Sequence, residues 1–166
     1  DANGLNTIKK DSQPRHLCLF ESLYFSRPDS RVDGKSIYLS RNEAGRILAR
    51  EHPVDADIVI GAPDSGIVAA IGYAEESKIP YAEGIIKNRY VGRTFIQPTQ
   101  ELRDQGVMIK LNALKENIEG KRVILVDDSI VRGTTIKRTV EMLKKAGAKE
   151  VHVRISSPPV TRTCYL

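Results

Sequence analysis

Residues 123–135 read VILVDDSIVRGTT, and this stretch decides the fold class. The run of four apolar residues at 123–126 is typical of a strand that is buried on both faces of a sheet. Two acids, Asp127 and Asp128, follow the run, and Gly133 then leads into a predicted helix over residues 134–146 that stops at Gly147. A strand that turns through glycine into a helix is the repeating unit of a parallel α/β sheet.

The same alternation occurs in other parts of the chain. Residues 57–61 form a short apolar run, and the Ala-rich residues 67–76 after it predict a helix. Residues 81–86 and 150–155 predict two further strands. We therefore expect one α/β domain with a central parallel sheet and helices on both faces.

The region before residue 57 predicts a strand and a surface helix. Residues 17–25 read LCLFESLYF, which is rich enough in apolar and aromatic residues to predict a first strand. Residues 36–50 have apolar residues at helical spacing, and we expect Ile37, Ala44, Ile47 and Leu48 to face the core and Arg41, Asn42, Glu43 and Arg46 to face solvent.

Composition narrows the class of protein. The chain has 166 residues, 40% of them hydrophobic, which suits one domain with a good-sized core. It carries a net charge of +5, which suits an anionic partner and leaves both nucleic acids and small phosphates open. No apolar run approaches the roughly 20 residues that span a bilayer, and the two cysteines do not describe a disulfide-rich secreted protein. We predict a cytoplasmic protein with no membrane partner.

The ends of the sequence suggest a piece of a longer protein. The chain starts at Asp1 without an initiator Met and stops at Leu166 without a polar tail. We expect residues 1–16 to be a polar linker and residues 17–166 to form the domain.

The end of the 123–126 strand has the groups that a sugar phosphate needs. Ligands of α/β sheets bind at the carboxyl ends of the strands. Backbone N–H groups of the turn, the hydroxyls of Ser129, Thr134 and Thr135 and the helix start can hold a phosphate monoester. The two adjacent carboxylates can take vicinal sugar hydroxyls, so a ribose 5-phosphate fits. The alternative is an ordinary turn in which Asp and Thr cap the helix.

This motif resembles the phosphoribosylpyrophosphate motif of type I phosphoribosyltransferases. Other segments resemble the amidotransferase members of that family; they are RPDS at 27–30, PDSG at 63–66, KNRYVGRTFI at 87–96, KLN at 110–112 and SSPP at 156–159. The resemblance covers nearly all of residues 18–166. It implies the type I fold and transfer of ammonia to the anomeric carbon of phosphoribosylpyrophosphate, which releases pyrophosphate and starts purine synthesis.

The resemblance also implies site residues. The catalytic pair is Asp127 and Asp128, and the substrate is bound by Ser129, Ile130, Val131, Arg132, Gly133, Thr134 and Thr135. A pyrophosphate loop at residues 62–66 adds Asp64, Ser65 and Gly66; the alternative is that Asp64 or Ser65 caps the next helix. Mg²⁺ is held by Ser65, Asp127 and Asp128, partly through water.

No clear core element is predicted between residues 87 and 119. Residues 87–98 resemble the flexible loop of the family, which orders over bound substrate, excludes water and helps to form the ammonia path. The resemblance implies that Lys87 and Lys110 bind phosphates of the substrate or of inhibitory purine nucleotides. It implies that Tyr90, Arg93 and Ile96 shape the closed site. The alternative is a solvated basic loop.

The resemblance has gaps at the N-terminus and at the cysteines. Members of the family make ammonia in a glutaminase domain whose nucleophile is an N-terminal Cys, so we expect this chain to use ammonia but not glutamine, and the full-length protein to form a homo-oligomer. Cys18 and Cys164 match two of the four ligands of the 4Fe-4S cluster that some members carry. We expect these two cysteines to lie close together, and we expect a cluster only in the full-length protein. The alternative is that each cysteine is simply a small buried hydrophobic residue.

Two other classes of function compete with an enzyme. A non-catalytic module that senses phosphoribosylpyrophosphate would need an appended DNA-binding element, and none is visible. A nucleic-acid binder would suit the charge, but no RNA-binding or helix-turn-helix signature is present. Ammonia carries a free lone pair, so His16, His52 and His152 need no catalytic role.

Overall fold

The computed structural model describes residues 17–88, 111–131 and 133–161. A π-helical segment, Glu21–Phe25, comes first, followed by β1 (Arg31–Val32), β2 (Lys35–Ser36), α1 (Ile37–Glu51), β3 (Ile58–Gly61), α2 (Ile67–Ser77), β4 (Ile85–Lys87), β5 (Leu111–Ala113), α3 (Lys115–Ile118), β6 (Arg122–Asp127), α4 (Thr134–Lys145) and β7 (Glu150–Ile155). Within these described ranges, no helix is both long enough and apolar enough to cross a bilayer.

The main sheet is parallel and has the strand order β3-β6-β7. Val59 pairs with Ile124 in the first ladder, and Leu125 pairs with Val153 in the second. Tyr81 adds a single parallel bridge to Val59. The strands predicted at 57–61, around 123–126 and at 150–155 are therefore confirmed, as are the helices predicted at 67–76 and 134–146.

Helices and a small antiparallel sheet cover the two faces of the main sheet. On one face Val59, Ile124 and Val126 pack against α1 and α2, where Ala70 and Tyr73 are fully buried. On the other face alternate residues of β3 and β6 pack with α4, β4 and α3, through Leu143, Ile85 and Ile118. Residues 123–126 have no exposed surface, which confirms the buried strand. The predicted α/β architecture with helices on both faces is confirmed.

Helix α1 is confirmed, but its buried face is only partly the predicted one: Ile37 and Leu48 are buried and Glu43 is exposed as expected, whereas Arg41, Asn42 and Ile47 are not placed as expected. Ile47 is 41% exposed, whereas Arg41 is 5% exposed. The reason is the packing of α1 on α2: a Cβ at Gly45 would lie 1.9 Å from the carbonyl oxygen of Ala69. This close approach turns the face that contains Gly45 toward α2, and it buries residues 41, 42, 48 and 49 with it.

The strand predicted at residues 17–25 is wrong, because this segment is helical. The Ser26 N–H donates to the Glu21 carbonyl at 3.0 Å, which closes the π-helical turn. The Arg41 guanidinium donates to the Ser22 and Ser26 carbonyls, which holds the turn against α1. A short apolar run is compatible with a strand or a helical turn, and here the long-range hydrogen bonds select the helical turn.

The region predicted to lack core elements is partly structured. Strand β5 pairs antiparallel with β4, and Ile118 at the end of α3 is fully buried. Elements of three and four residues are too short to show a period, which is why the sequence pattern missed them. In the strand predicted at 81–86, residues 82–84 form no ladder, and β4 begins at Ile85.

Candidate active site

The carboxyl end of β6 opens into a cleft of about 590 Å³. The structure brings nine of the predicted site residues together as lining residues of this cleft: Ser65, Asp127, Asp128, Ser129, Ile130, Val131, Gly133, Thr134 and Thr135. The end of a central parallel strand is where α/β sheets bind their ligands. The grouping therefore agrees with the expectation from the motif.

Asp128 lines the cleft but is largely buried. The residue is only 5% exposed. The Ser129 hydroxyl donates a hydrogen bond to Asp128 Oδ1, and the Asp128 carbonyl accepts from the Ser157 N–H at 3.0 Å. The residues after β7 thus fix the backbone that presents this acid.

Asp127 is the titratable group whose pKa the site changes most clearly. Burial raises the pKa of its carboxyl to about 6, and the negative charge of Asp128 adds to the rise. The Asp128 N–H, which donates to Asp127 Oδ1 at 2.9 Å, acts in the opposite direction. When burial raises the pKa of a carboxyl group, a polar or cationic ligand that binds beside it stabilises the charged form.

We expect Asp127→Asn to be more stable than the wild-type chain at about pH 7 and equally stable at about pH 4. An acid whose pKa is raised on folding adds stability that is fully present below its unfolded value, near 3.8, and lost as the pH rises through about 6. Asn stays neutral at both pH values, so the variant does not lose this stability as the pH rises. Its side-chain oxygen can still accept a hydrogen bond from the Asp128 N–H. Urea unfolding at both pH values measures the difference, and a difference that does not change with pH would contradict the assignment.

The start of α4 lines the cleft with Gly133, Thr134 and Thr135. Gly133 precedes the helix with φ +72°, a left-handed conformation that favours glycine. The N-cap position is Gly133, and no side chain of the described residues caps the helix start, so the helix-capping alternative for the motif is wrong. The first-turn N–H groups and the exposed hydroxyls of Thr134 and Thr135 can therefore bind an anion.

The turn between β3 and α2 also lines the cleft. Ala62, Pro63 and Ser65 line the cleft, and the Ala62 N–H donates to the Val126 carbonyl at 2.8 Å. A Cβ at Gly66 would lie 2.4 Å from that same carbonyl, so only glycine lets the turn come this close to β6. Gly66 itself is the N-cap of α2, and within the described ranges no side chain caps this helix, so the capping alternative for Asp64 and Ser65 is wrong.

Lys87 and Asp64 lie beside this turn and form an ion pair. Lys87 Nζ is 2.6 Å from Asp64 Oδ2, and both side chains are exposed. The pair joins the turn to the end of β4, whose first residue, Ile85, lines the cleft. Lys87 is therefore placed at the rim, where an incoming anion could compete with Asp64 for its charge.

Some predicted site residues lie outside the described part of the chain; they are Tyr90, Arg93, Ile96, Lys110, Arg132 and Cys164. The expected closeness of Cys18 and Cys164 and the expected behaviour of residues 89–110 therefore stay predictions. Cys18 is an exposed free thiol, so the buried-hydrophobe alternative is wrong for it. In the described ranges no three His, Cys, Asp or Glu side chains form a metal-binding group.

Sequence reasoning missed the aromatic wall of the cleft, which consists of Phe20, Tyr24 and Phe25. The rings of Tyr24 and Phe25 meet edge to face with centroids 5.6 Å apart, and both residues are largely exposed. The signal in the sequence was the presence of two of the three Phe residues within six positions. Exposed aromatic rings beside a polar cleft provide an apolar surface for the flat side of a ligand.

Comparison with known proteins agrees with this arrangement. The model of the phosphoribosyl transferase domain matches residues 39–156. The amidophosphoribosyltransferase of Archaeoglobus fulgidus is 62% identical over 154 residues, which are 93% of this chain and 34% of that protein. The Bacillus subtilis amidophosphoribosyltransferase is 60% identical over 151 residues, or 91% of this chain and 32% of that protein.

Solved structures give the same result. A structure described as the allosteric regulatory enzyme of purine biosynthesis superposes with a TM-score of 0.84 at 59% identity, covering 93% of this chain and 33% of that one. The B. subtilis glutamine phosphoribosylpyrophosphate amidotransferase in complex with ADP and GMP has a TM-score of 0.84 at 58% identity, covering 94% and 34%. The chain thus spans about a third of the length of these relatives.

The matched family region contains the acid pair, the start of α4 and the turn between β3 and α2. It also contains all seven strands except β1 and β2, which precede it. Because the family model covers most of the chain, the chain belongs to the phosphoribosyl transferase domain family.

Proposed function

We propose that the cleft binds phosphoribosylpyrophosphate and transfers ammonia to its anomeric carbon, giving 5-phosphoribosylamine and pyrophosphate. One observation carries the proposal: the acid pair at the end of β6 lies in one cleft with an uncapped helix start and with the turn that follows β3. A ribose that carries a phosphate and a diphosphate has one part for each of these three groups. Similarity to amidophosphoribosyltransferases supports ammonia as the acceptor.

Each part of the substrate has a binding group in this proposal. The 5-phosphate binds the N–H groups at the start of α4 together with Thr134 and Thr135. The ribose hydroxyls donate to the carboxylates of Asp127 and Asp128, which are held at the end of β6. The diphosphate lies against the backbone of residues 62–66, where Lys87 can exchange its ion pair with Asp64 for a contact with phosphate.

The reaction exchanges one bond at the anomeric carbon. The bond to the diphosphate oxygen breaks with its electron pair, the nitrogen lone pair forms the new C–N bond, and one proton leaves the nitrogen for water. Positive charge grows on the ribose ring during this exchange, and the two fixed carboxylates stabilise it. Because ammonia brings its own lone pair, no strong general base is required.

The donor set of the cleft fits Mg²⁺. Ser65, Asp127 and Asp128 offer a hydroxyl and two carboxylates, and Mg²⁺ favours a few carboxylate oxygens completed by water and substrate phosphate. When bound there, Mg²⁺ would neutralise negative charge on the departing pyrophosphate. Burial raises the pKa of Asp127 to about 6, and a cation bound beside this carboxylate would lower it.

Purine nucleotides are proposed as inhibitors of the same cleft. A nucleoside monophosphate has the ribose and 5-phosphate that the acid pair and the start of α4 would hold. The B. subtilis neighbour was solved with ADP and GMP, which supports this class of ligand. We also propose a glutaminase domain in the full protein, because the relatives are about three times as long as this chain. Self-association of the full protein is a further proposal.

Pyrophosphate release tests the function. We expect the chain, given phosphoribosylpyrophosphate and Mg²⁺, to release pyrophosphate at a rate that rises with ammonia and to show GMP as a competitor of phosphoribosylpyrophosphate. A non-catalytic sensor would bind the substrate in a calorimetric titration without releasing pyrophosphate. Absence of both binding and release would count against the whole proposal.

A further inference from the structure

Arg41 is a buried cation that the proposed reaction does not yet use. It lies in the second turn of α1 and is 5% exposed. Its Nε donates to the Ser22 carbonyl and its Nη2 donates to the Ser26 carbonyl, each at 2.8 Å. Carbonyls satisfy the donors but carry no net charge, so these two bonds alone leave a buried positive charge unbalanced.

Asp128 offsets part of this charge. Burial lowers the pKa of Arg41 below its ordinary value, and the negative charge of Asp128 opposes that fall without cancelling it. Asp128 is also only 5% exposed, so the two charges act on each other through a poorly solvated interior. Removing Asp128 therefore leaves the buried charge of Arg41 with less compensation.

The two carbonyls that bind Arg41 belong to the segment that carries the aromatic wall. Ser22 and Ser26 bracket Tyr24 and Phe25, and all of them belong to one helical turn. Both aromatic residues line the same cleft as Asp128. The hydrogen bonds of Arg41 therefore hold the segment whose aromatic rings line the cleft together with Asp128.

We propose that Arg41 is a positioning residue that holds the aromatic wall in place in the cleft that Asp128 also lines, so that the ribose ring is held between the wall and the Asp128 carboxylate. The inference rests on the proposed function, because it takes the ribose of phosphoribosylpyrophosphate as the ligand. Arg41 itself touches no substrate atom in this scheme.

The test compares Arg41→Met and Arg41→Lys with Arg46→Met in the full protein. Arg46 lies in the same helix but bonds to Asn42 Oδ1 and Glu75, so its loss removes an equal charge away from the cleft. The readouts are the melting temperature, kcat and KM for phosphoribosylpyrophosphate with ammonia, and hydrogen exchange of residues 19–26 without substrate. Exchange reports on the wall whether or not the protein turns substrate over.

We expect Arg41→Met to lower kcat/KM about tenfold or more, because hydrogen bonds to a charged group and a charge balance are lost. Arg41→Lys should recover part of that loss, since it keeps the charge but cannot bond both carbonyls. Both variants should speed exchange of residues 19–26. Arg46→Met should stay within about twofold of wild type in kcat/KM.

Unchanged kinetics and exchange in Arg41→Lys and Arg41→Met would overturn the proposal, as would equal losses in Arg41→Met and Arg46→Met. If Arg41→Met does not fold, Arg41→Lys decides by the same criteria. A wild-type protein that releases no pyrophosphate would count against the proposed function. Exchange of residues 19–26 would then still decide whether Arg41 holds the wall.

Discussion

Asp128→Asn is expected to lower kcat/KM for phosphoribosylpyrophosphate by about ten- to a hundredfold. A hydrogen bond to a charged group is worth about 1.5–3 kcal/mol, and each 1.4 kcal/mol is about tenfold in rate. Asn keeps the shape and the oxygen that accepts from Ser129, so the loss is one of charge at a fixed position. The buried charge of Arg41 also loses the part of its compensation that Asp128 supplies.

Pyrophosphate release at several substrate concentrations measures this loss, and Asp57→Asn is the control. Asp57 pairs with Arg122 at the opposite end of β6, so the control removes the same charge far from the cleft. We expect Asp57→Asn to turn over substrate like the wild type. Normal turnover by Asp128→Asn would mean that the cleft is not the active site.

Gly72→Ala should lower the free energy of unfolding by at least about 2 kcal/mol. A Cβ at Gly72 would lie 1.9 Å from the Asn42 carbonyl oxygen, a backbone atom of α1 that cannot move away by itself. Overpacking of this kind costs about 3 kcal/mol, and the better helix propensity of Ala offsets about 1 kcal/mol of it. Helices α1 and α2 would therefore have to separate.

Urea unfolding measures the effect, with Ser40→Ala on the exposed side of α1 as a control that should change stability by less than about 0.5 kcal/mol. Gly45→Ala should behave like Gly72→Ala, because its Cβ would lie 1.9 Å from the Ala69 carbonyl. The double variant should cost less than the sum, since helices that have separated once accommodate both methyl groups. Wild-type stability in either single variant would contradict the close packing.

The fold class and much of the site could be predicted because their signals are local. The strand at 123–126 is a continuous apolar run, and the same stretch continues into the acids, the glycine and the threonines. Chain connectivity alone then brings Asp127, Asp128, Thr134 and Thr135 to one strand end. No knowledge of distant contacts was needed for this part of the cleft.

Other parts of the molecule depended on contacts between residues that are distant in sequence. Arg41 and Ser22 are 19 positions apart, and their hydrogen bond makes residues 21–25 helical and places the aromatic wall beside the cleft. The approach of α1 to α2 through Gly45 and Gly72 buries Arg41 and leaves Ile47 in solvent. A hydrophobic pattern reports how a segment separates polar from apolar side chains, but not which partner its backbone meets. Residues 123–135 thus determined the sheet and the acid pair. Tertiary packing decided the aromatic wall and its place in the same cleft as Asp128.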